Sequence, residues 1–66
     1  MTVTKDMRIG EILAQNMDTA KFFLEMGMHC LGCPASQNET LAEACDVHGV
    51  DSDSMVKNIN EFLANL

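Results

Sequence analysis

Residues 39–49 read ETLAEACDVHG and carry a start signal and a stop signal for one helix. Thr40 and Glu43 fit a capping box, in which the Thr hydroxyl and the Glu carboxylate each satisfy a free backbone amide. Gly49 is suited to the left-handed conformation that ends a helix. Apolar or weakly polar residues recur at i, i+3, i+4 and i+7: Leu41, Ala44, Cys45 and His48. The spacing predicts a short amphipathic helix, helix three, that starts at Thr40 and is closed by Gly49.

A further helix follows towards the carboxyl terminus. Asp51 is a good N-cap residue because its carboxylate accepts hydrogen bonds from the first backbone amides of a helix. The apolar positions after it keep helical spacing to the end of the chain: Met55, Val56, Ile59, Phe62, Leu63 and Leu66. The pattern predicts helix four.

Two helices are predicted before helix three. Ile9, Ile12 and Leu13 have helical spacing and predict helix one over residues 8–15, with Asp6 as a plausible N-cap. Residues 16–18 interrupt the pattern and offer capping side chains. A second stripe predicts helix two, which ends near Gly27: Ala20, Phe23, Leu24 and Gly27, flanked by Phe22 and Met26.

Helical periodicity is lost between residues 28 and 38. This segment contains a flexible Gly32 and a φ-restricted Pro34, at which a single helical turn can begin. No segment alternates with period two for long enough to form a strand. The sequence therefore predicts an all-α fold, a compact bundle of four short helices in one domain over residues 1–66, with a CxxC loop between helices two and three.

The charge balance excludes several classes of partner. Four basic and ten acidic residues give a net charge of −6, which disfavours binding to nucleic acid or to an anionic membrane surface. No apolar run approaches the roughly 18 residues of a membrane span, and Lys5 and Asp6 occupy the place of a signal peptide's apolar core. We expect a cytoplasmic protein. Three cysteines, an odd number, fit a cytosolic thiol or metal site better than a disulfide scaffold.

Cys30 and Cys33 form the most prominent chemical motif. Two intervening residues keep the sulfurs close, so the pair can cycle between dithiol and disulfide, and Cys30 would attack while Cys33 resolves the mixed disulfide. As a structural staple the pair is less suitable, because closing four residues contributes only about 2 kcal/mol. The same pair can also supply two metal ligands.

Neighbouring residues offer modulators of this chemistry. His29 can lower the pKa of Cys30 or shuttle a proton, or it can be an ordinary loop residue. Cys45 can face the loop, or it can be a small buried hydrophobe on the stripe of helix three. Cys30, Cys33, Cys45 and His48 together have spacings that a zinc or iron site accepts. His48 is also explained by the dipole at a helix C-terminus.

Three stretches resemble a known family: residues 7–13 (MRIGEIL), residues 23–34 (FLEMGMHCLGCP) and residues 39–45 with 48–49 (ETLAEAC, HG). They are similar to the hybrid-cluster-protein-associated redox disulfide domain, a compact helical domain found mainly in anaerobic bacteria. The resemblance covers nearly the whole chain and places the family's cysteine pair on Cys30 and Cys33 and its third cysteine on Cys45. It implies redox activity. A more distant similarity exists to the N-terminal domain of di-iron-type iron–sulfur cluster repair proteins, in which the cysteines are adjacent.

Three functions remain open at this point. The first is thiol–disulfide exchange by Cys30 and Cys33 with a thiol or disulfide of a partner protein, without a cofactor. The second is a metal or iron–sulfur-related binding module that uses Cys30, Cys33 and Cys45, with zinc or iron bound. The third is a non-catalytic protein-interaction domain, in which the cysteines are incidental.

Overall fold

A computed structural model describes residues 2–28, 31 and 34–66 as a helical globule. Its radius of gyration of 10.5 Å is close to the value of about 11 Å expected for a folded domain of this length. In chain order the elements are α1 Ile9–Gln15, a 3-10 helix Met17–Thr19, α2 Ala20–Met26, α3 Pro34–Asn38, α4 Leu41–His48 and α5 Ser52–Ala64. Over the described ranges, β structure is limited to one antiparallel bridge between Arg8 and Thr40. The prediction of an all-α fold is confirmed.

The four helices predicted from periodicity are α1, α2, α4 and α5, and the caps predicted for α4 and α5 form as expected. At α4 the Thr40 hydroxyl accepts the Glu43 N–H at 3.2 Å, and the Glu43 carboxylate accepts the Thr40 N–H at 3.0 Å. Gly49 ends this helix with φ 69°. At α5 the Asp51 carboxylate accepts the Ser54 N–H at 3.1 Å. These caps satisfy backbone amides that have no partner within the helix.

The predicted N-cap of α1 is wrong. Asp6 lies in a turn, and the N-cap is Arg8, whose backbone N–H donates to the Glu11 carboxylate at 3.0 Å. The physical reason is long-range: Arg8 is extended, with φ −78° and ψ 149°, because it pairs with Thr40. Helical dihedrals therefore cannot begin before Ile9.

The segments between helices also have regular structure. Asn16 interrupts the helical pattern as predicted, and its side-chain oxygen accepts the Asp18 N–H at 2.8 Å to start the 3-10 helix. The buried Thr19 hydroxyl donates to the Asn16 carbonyl at 2.7 Å. The helical turn expected at Pro34 is the five-residue helix α3.

One apolar core joins the helices. Its fully buried side chains come from every long helix and from the N-terminal segment: Val3, Ile9, Ile12, Phe23, Leu41, Cys45 and Ile59. Three positions predicted on apolar stripes are exposed: His48, Leu24 at 54% and Leu66 at 72%. Helices this short bury a narrow face, so residues at its edge and past the last turn face solvent.

The Asn60 side chain links α5 to the N-terminal segment. The Asn60 amide accepts the Val3 N–H at 2.7 Å and donates to the Val3 carbonyl at 3.0 Å, so it pairs with the backbone as a neighbouring strand would. Nearby, the rings of Phe22 and Phe62 meet edge to face at 5.6 Å, with the Lys21 ammonium 4.1 Å from the Phe62 centroid. These contacts fix α5 to α2 and to the N-terminal segment.

The described helices are too short and too polar to cross a lipid bilayer. The longest, α5, has 13 residues, against the roughly 20 that a bilayer requires.

We predict that Asn60→Ala lowers the free energy of unfolding by about 1–3 kcal/mol, because two hydrogen bonds to part-buried backbone are lost. Denaturant titration followed by circular dichroism measures the change. Asn58→Ala is the matched control, since it makes the same change of helix propensity at an exposed position of the same helix. Equal effects of the two substitutions would contradict the prediction.

We predict that the ionised Glu43 carboxylate stabilises the fold and that this stabilisation is lost as the pH becomes acid. Hydrogen bonds from the Thr40 backbone and hydroxyl lower the pKa of Glu43 below its ordinary value of 4.5. The folded state therefore binds this proton more weakly than the unfolded state, and the stabilisation declines as pH falls through 4.5 and then through the folded pKa.

The measurement is the difference in unfolding free energy between the wild type and Glu43→Gln from neutral pH to about pH 3, a range that spans the ordinary carboxyl pKa values. We expect the difference to be constant near neutral pH and to shift against the wild type in acid. Glu25→Gln, an exposed carboxylate away from a helix start, is the control. A difference that does not vary with pH would refute this prediction.

Candidate functional site

The cysteines predicted to react have three described features as neighbours in the sequence, which we call anchors: the end of α2, Leu31 and α3. Cys30 and Cys33, together with His29, lie outside the described residues. Each cysteine is bonded to a described residue, Cys30 to Leu31 and Cys33 to Pro34. The positions of these flanking residues therefore define where the CxxC loop joins the helical scaffold.

The first anchor is the end of α2. Gly27 adopts φ 115°, which favours glycine, and its N–H donates to the Leu24 carbonyl at 3.1 Å. The Met28 N–H donates to the Phe23 carbonyl at 3.1 Å, so the two bonds form a Schellman-type cap. Met28 is only 5% exposed and belongs to the core. The loop thus begins from a buried side chain.

The second anchor is Leu31, which lies within the CxxC motif itself. Its half-buried side chain packs against the core, and its carbonyl accepts a hydrogen bond from the Gln37 side-chain amide at 2.8 Å. Both the side chain and the backbone of Leu31 are therefore held by residues outside the motif.

The third anchor is α3, which begins at Pro34 and packs against α1. The two helices approach closely at Gly10, where a β-carbon would lie 3.0 Å from Gln37 Cβ and 3.2 Å from the Gln37 carbonyl oxygen. The Arg8 guanidinium donates to the Asn38 carbonyl at 2.6 Å at the end of α3. These contacts set the position of Gln37.

An open apolar groove of about 330 Å³ lies beside Leu31. Its lining comes from α1, the 3-10 helix, α2, Leu31 and α3: Gly10, Leu13, Ala14, Met17, Ala20, Leu31 and Gln37. Met17 is 69% exposed, which is high for a large apolar side chain. The groove therefore offers an apolar surface that reaches the segment between the two predicted reactive cysteines.

Cys45 is part of the core rather than of a surface site. Its side chain is fully buried on α4, as predicted by the interpretation of Cys45 as a small hydrophobe. Burial, and to a smaller extent the negative charge of Asp51, raises the pKa of the Cys45 thiol. The group is therefore held as a neutral thiol, a poor nucleophile and a poor metal ligand in that state.

His48 is exposed on α4 but lies close to Gly27 at the end of α2. A β-carbon at Gly27 would lie 3.3 Å from His48 Nδ1, so the imidazole packs against the cap of α2, two residues before His29. His48 is also the basic residue in the last turn of α4, as the dipole interpretation expects.

The four residues of the alternative metal set are only half described. Cys45 is buried and His48 is exposed, while Cys30 and Cys33 lie outside the described ranges. Across residues 2–28, 31 and 34–66, no three side chains of His, Cys, Asp or Glu are grouped as a metal site. The zinc or iron alternative stays a prediction.

Comparison with known proteins gives the family. The model of a domain of unknown function, DUF1858, matches residues 3–56, which include the first four α-helices and the start of α5. The chain belongs to the DUF1858 family. No curated protein matches it.

A solved relative supports the fold of this DUF1858 domain. The NMR solution structure of a protein from Clostridium thermocellum, a structural genomics target, is 48% identical in sequence and superposes with a TM-score of 0.83. The alignment covers 98% of this chain and 93% of that chain. The likeness therefore extends over the whole helical domain.

Sequence analysis did not identify two residues of the DUF1858 domain that contribute to the position of Leu31, namely Gln37 and Gly10. Gln37 lies in a segment without periodicity, and its partner Leu31 is recognisable only in three dimensions. Gly10 carries a usable signal, because an isolated glycine inside a helical pattern often marks a close approach of another element.

We predict that Gly27→Ala lowers the unfolding free energy by at least about 1–2 kcal/mol, the cost of a left-handed conformation for an L residue. The added β-carbon also meets His48, so the cost should be smaller in a His48→Ala background. A double-mutant cycle by denaturant titration measures this coupling. Equal costs in the two backgrounds would show that His48 does not rest on Gly27.

Proposed function

We propose that this DUF1858 domain is a thiol–disulfide redox module that acts on a partner protein through Cys30 and Cys33. The observation that carries the proposal is the position of Leu31. This residue lies between the two cysteines in the sequence, is fixed by the helical scaffold, and contributes to an open apolar groove. A pair with these neighbours can exchange with a disulfide in a bound segment.

The reaction consists of two exchanges. The Cys30 thiolate attacks one sulfur of a partner disulfide, which forms a mixed disulfide and releases the other partner sulfur as a thiolate. The Cys33 thiolate then attacks Cys30 Sγ, which closes the 30–33 disulfide and releases the second partner thiolate. The partner disulfide gains two electrons and is reduced, and the dithiol of the domain loses two electrons and two protons and is oxidised.

The partner's segment is expected to carry an apolar side chain next to its cysteine. The groove beside Leu31 is lined mainly by apolar residues, and the flexible Met17 at its exposed side can adjust to different side chains. Basic residues around that cysteine would suit the net charge of −6. Oppositely charged surfaces raise the rate of encounter.

The remaining predicted residues take supporting roles in this proposal. His29, next to Cys30, accepts the thiol proton and favours the thiolate. Cys45 does not exchange, because its burial keeps the thiol neutral. The resemblance to the hybrid-cluster-protein-associated redox disulfide domain supports the same assignment of the cysteine pair.

We predict that the oxidised protein is lighter by two hydrogen atoms, about 2 Da, with the loss confined to the peptide that contains residues 30–33. The measurement is intact and peptide mass across a series of reduced to oxidised glutathione, in the presence and absence of zinc. Cys45→Ser should behave as the wild type, whereas Cys30→Ser and Cys33→Ser should not form this disulfide.

The two single variants also test the order of attack. Cys33→Ser should accumulate a glutathione adduct on Cys30, whereas Cys30→Ser should accumulate less adduct on Cys33.

A wild type that stays a dithiol at every ratio would refute the redox function. Zinc that binds and is lost in Cys45→Ser would favour the metal module instead. Unchanged partner binding by the double variant of Cys30→Ser and Cys33→Ser would favour an interaction domain.

A further inference from the structure

One hydrogen bond links the helical scaffold to the middle of the CxxC motif. The Gln37 side-chain amide donates to the Leu31 carbonyl at 2.8 Å, across six residues of sequence. Leu31 follows Cys30 directly and is separated from Cys33 by Gly32 alone. The bond therefore restrains the backbone within the ring that a 30–33 disulfide would close.

The position of Gln37 is set by contacts far from the motif in sequence. α3 lies against α1, and the absence of a side chain at Gly10 permits the approach, since a β-carbon there would be 3.0 Å from Gln37 Cβ. The bond from Arg8 to the Asn38 carbonyl holds the end of α3. Gln37 is thus held by the packing of α3 against α1 and in turn holds the Leu31 carbonyl.

We propose that Gln37 is a positioning residue that favours closure of the 30–33 disulfide by holding the Leu31 carbonyl. This inference rests on the proposed redox function. A restraint on Leu31 that is present before the disulfide forms and is kept in the disulfide removes part of the conformational entropy that ring closure would otherwise cost. A dithiol restrained in this way forms its disulfide more readily.

The decisive variant is Gln37→Met, which keeps the length of the side chain and its packing beside Gly10 but has no N–H donor. Gln37→Ala removes both the donor and the packing. Asn38→Ala, at the next position of α3, is the matched control because its backbone carbonyl, the acceptor for Arg8, is retained. Circular dichroism and denaturant titration are the control measurements that test whether each variant is folded.

The experiment is the equilibrium of each protein with glutathione, read by intact mass. Gln37→Met should shift the equilibrium towards the dithiol by about two- to tenfold, the equivalent of one hydrogen bond. Gln37→Ala should shift it at least as far, and Asn38→Ala should leave it within about twofold of the wild type, less than one hydrogen bond contributes. A merely structural role for Gln37 would change the unfolding free energy without this shift.

Two failures can be told apart. A wild-type protein that forms no 30–33 disulfide at any ratio overturns the redox function and this inference together. A wild-type disulfide that forms normally and is unaffected by Gln37→Met overturns the inference alone. A shift in Gln37→Ala without one in Gln37→Met would assign the effect to packing rather than to the hydrogen bond, and would also overturn it.

Discussion

Backbone pairing between residues 5–9 and 39–42 is the constraint on which the rest of the structure depends. The Ile9 N–H donates to the Glu39 carbonyl, Leu41 to Met7 and Ala42 to Lys5, each at 2.9 Å. These bonds join residues 30 to 37 positions apart in the sequence and place the start of α1 next to the start of α4. The intervening helix α3 is thereby brought against α1, which determines where the CxxC loop leaves the scaffold.

The contacts near the loop depend on this arrangement. α3 approaches α1 at Gly10, Gln37 reaches the Leu31 carbonyl, and the groove opens between α1, α2 and Leu31. At the other side of the loop, Met28 is buried and Gly27 supports His48. A core built from short helices would be marginal for a chain of this length. Long-range backbone and side-chain hydrogen bonds, such as those between Val3 and Asn60, add to the stability that this small core provides.

The negative charge of the protein disfavours the thiolate that the proposed exchange requires. No Lys or Arg occurs between Lys21 and Lys57, and the protein has a net charge of −6. The sequence around the motif therefore supplies no Lys or Arg to stabilise a thiolate. His29 is the adjacent group that can do so. At Cys45, burial raises the pKa of the thiol and so favours its neutral form. Burial thus separates Cys45 from the cysteine pair to which we assign the exchange.

Local signals in the sequence determined the four longer helices and most of their caps. The Thr40 and Glu43 capping box, the Asp51 cap and the glycines that end α2 and α4 each act within a few residues, so their effect can be read from the chain alone. The burial of Cys45 agrees with its place on the apolar stripe of α4, but spacing alone also allowed it to face the loop. Tertiary structure decided what depends on distant partners: the start of α1 at Ile9 rather than after Asp6, the exposure of Leu24, and the contact of Gln37 with Leu31. Such contacts have no periodic signature, because hydrogen bonds and close approaches between elements are fixed only when the helices pack.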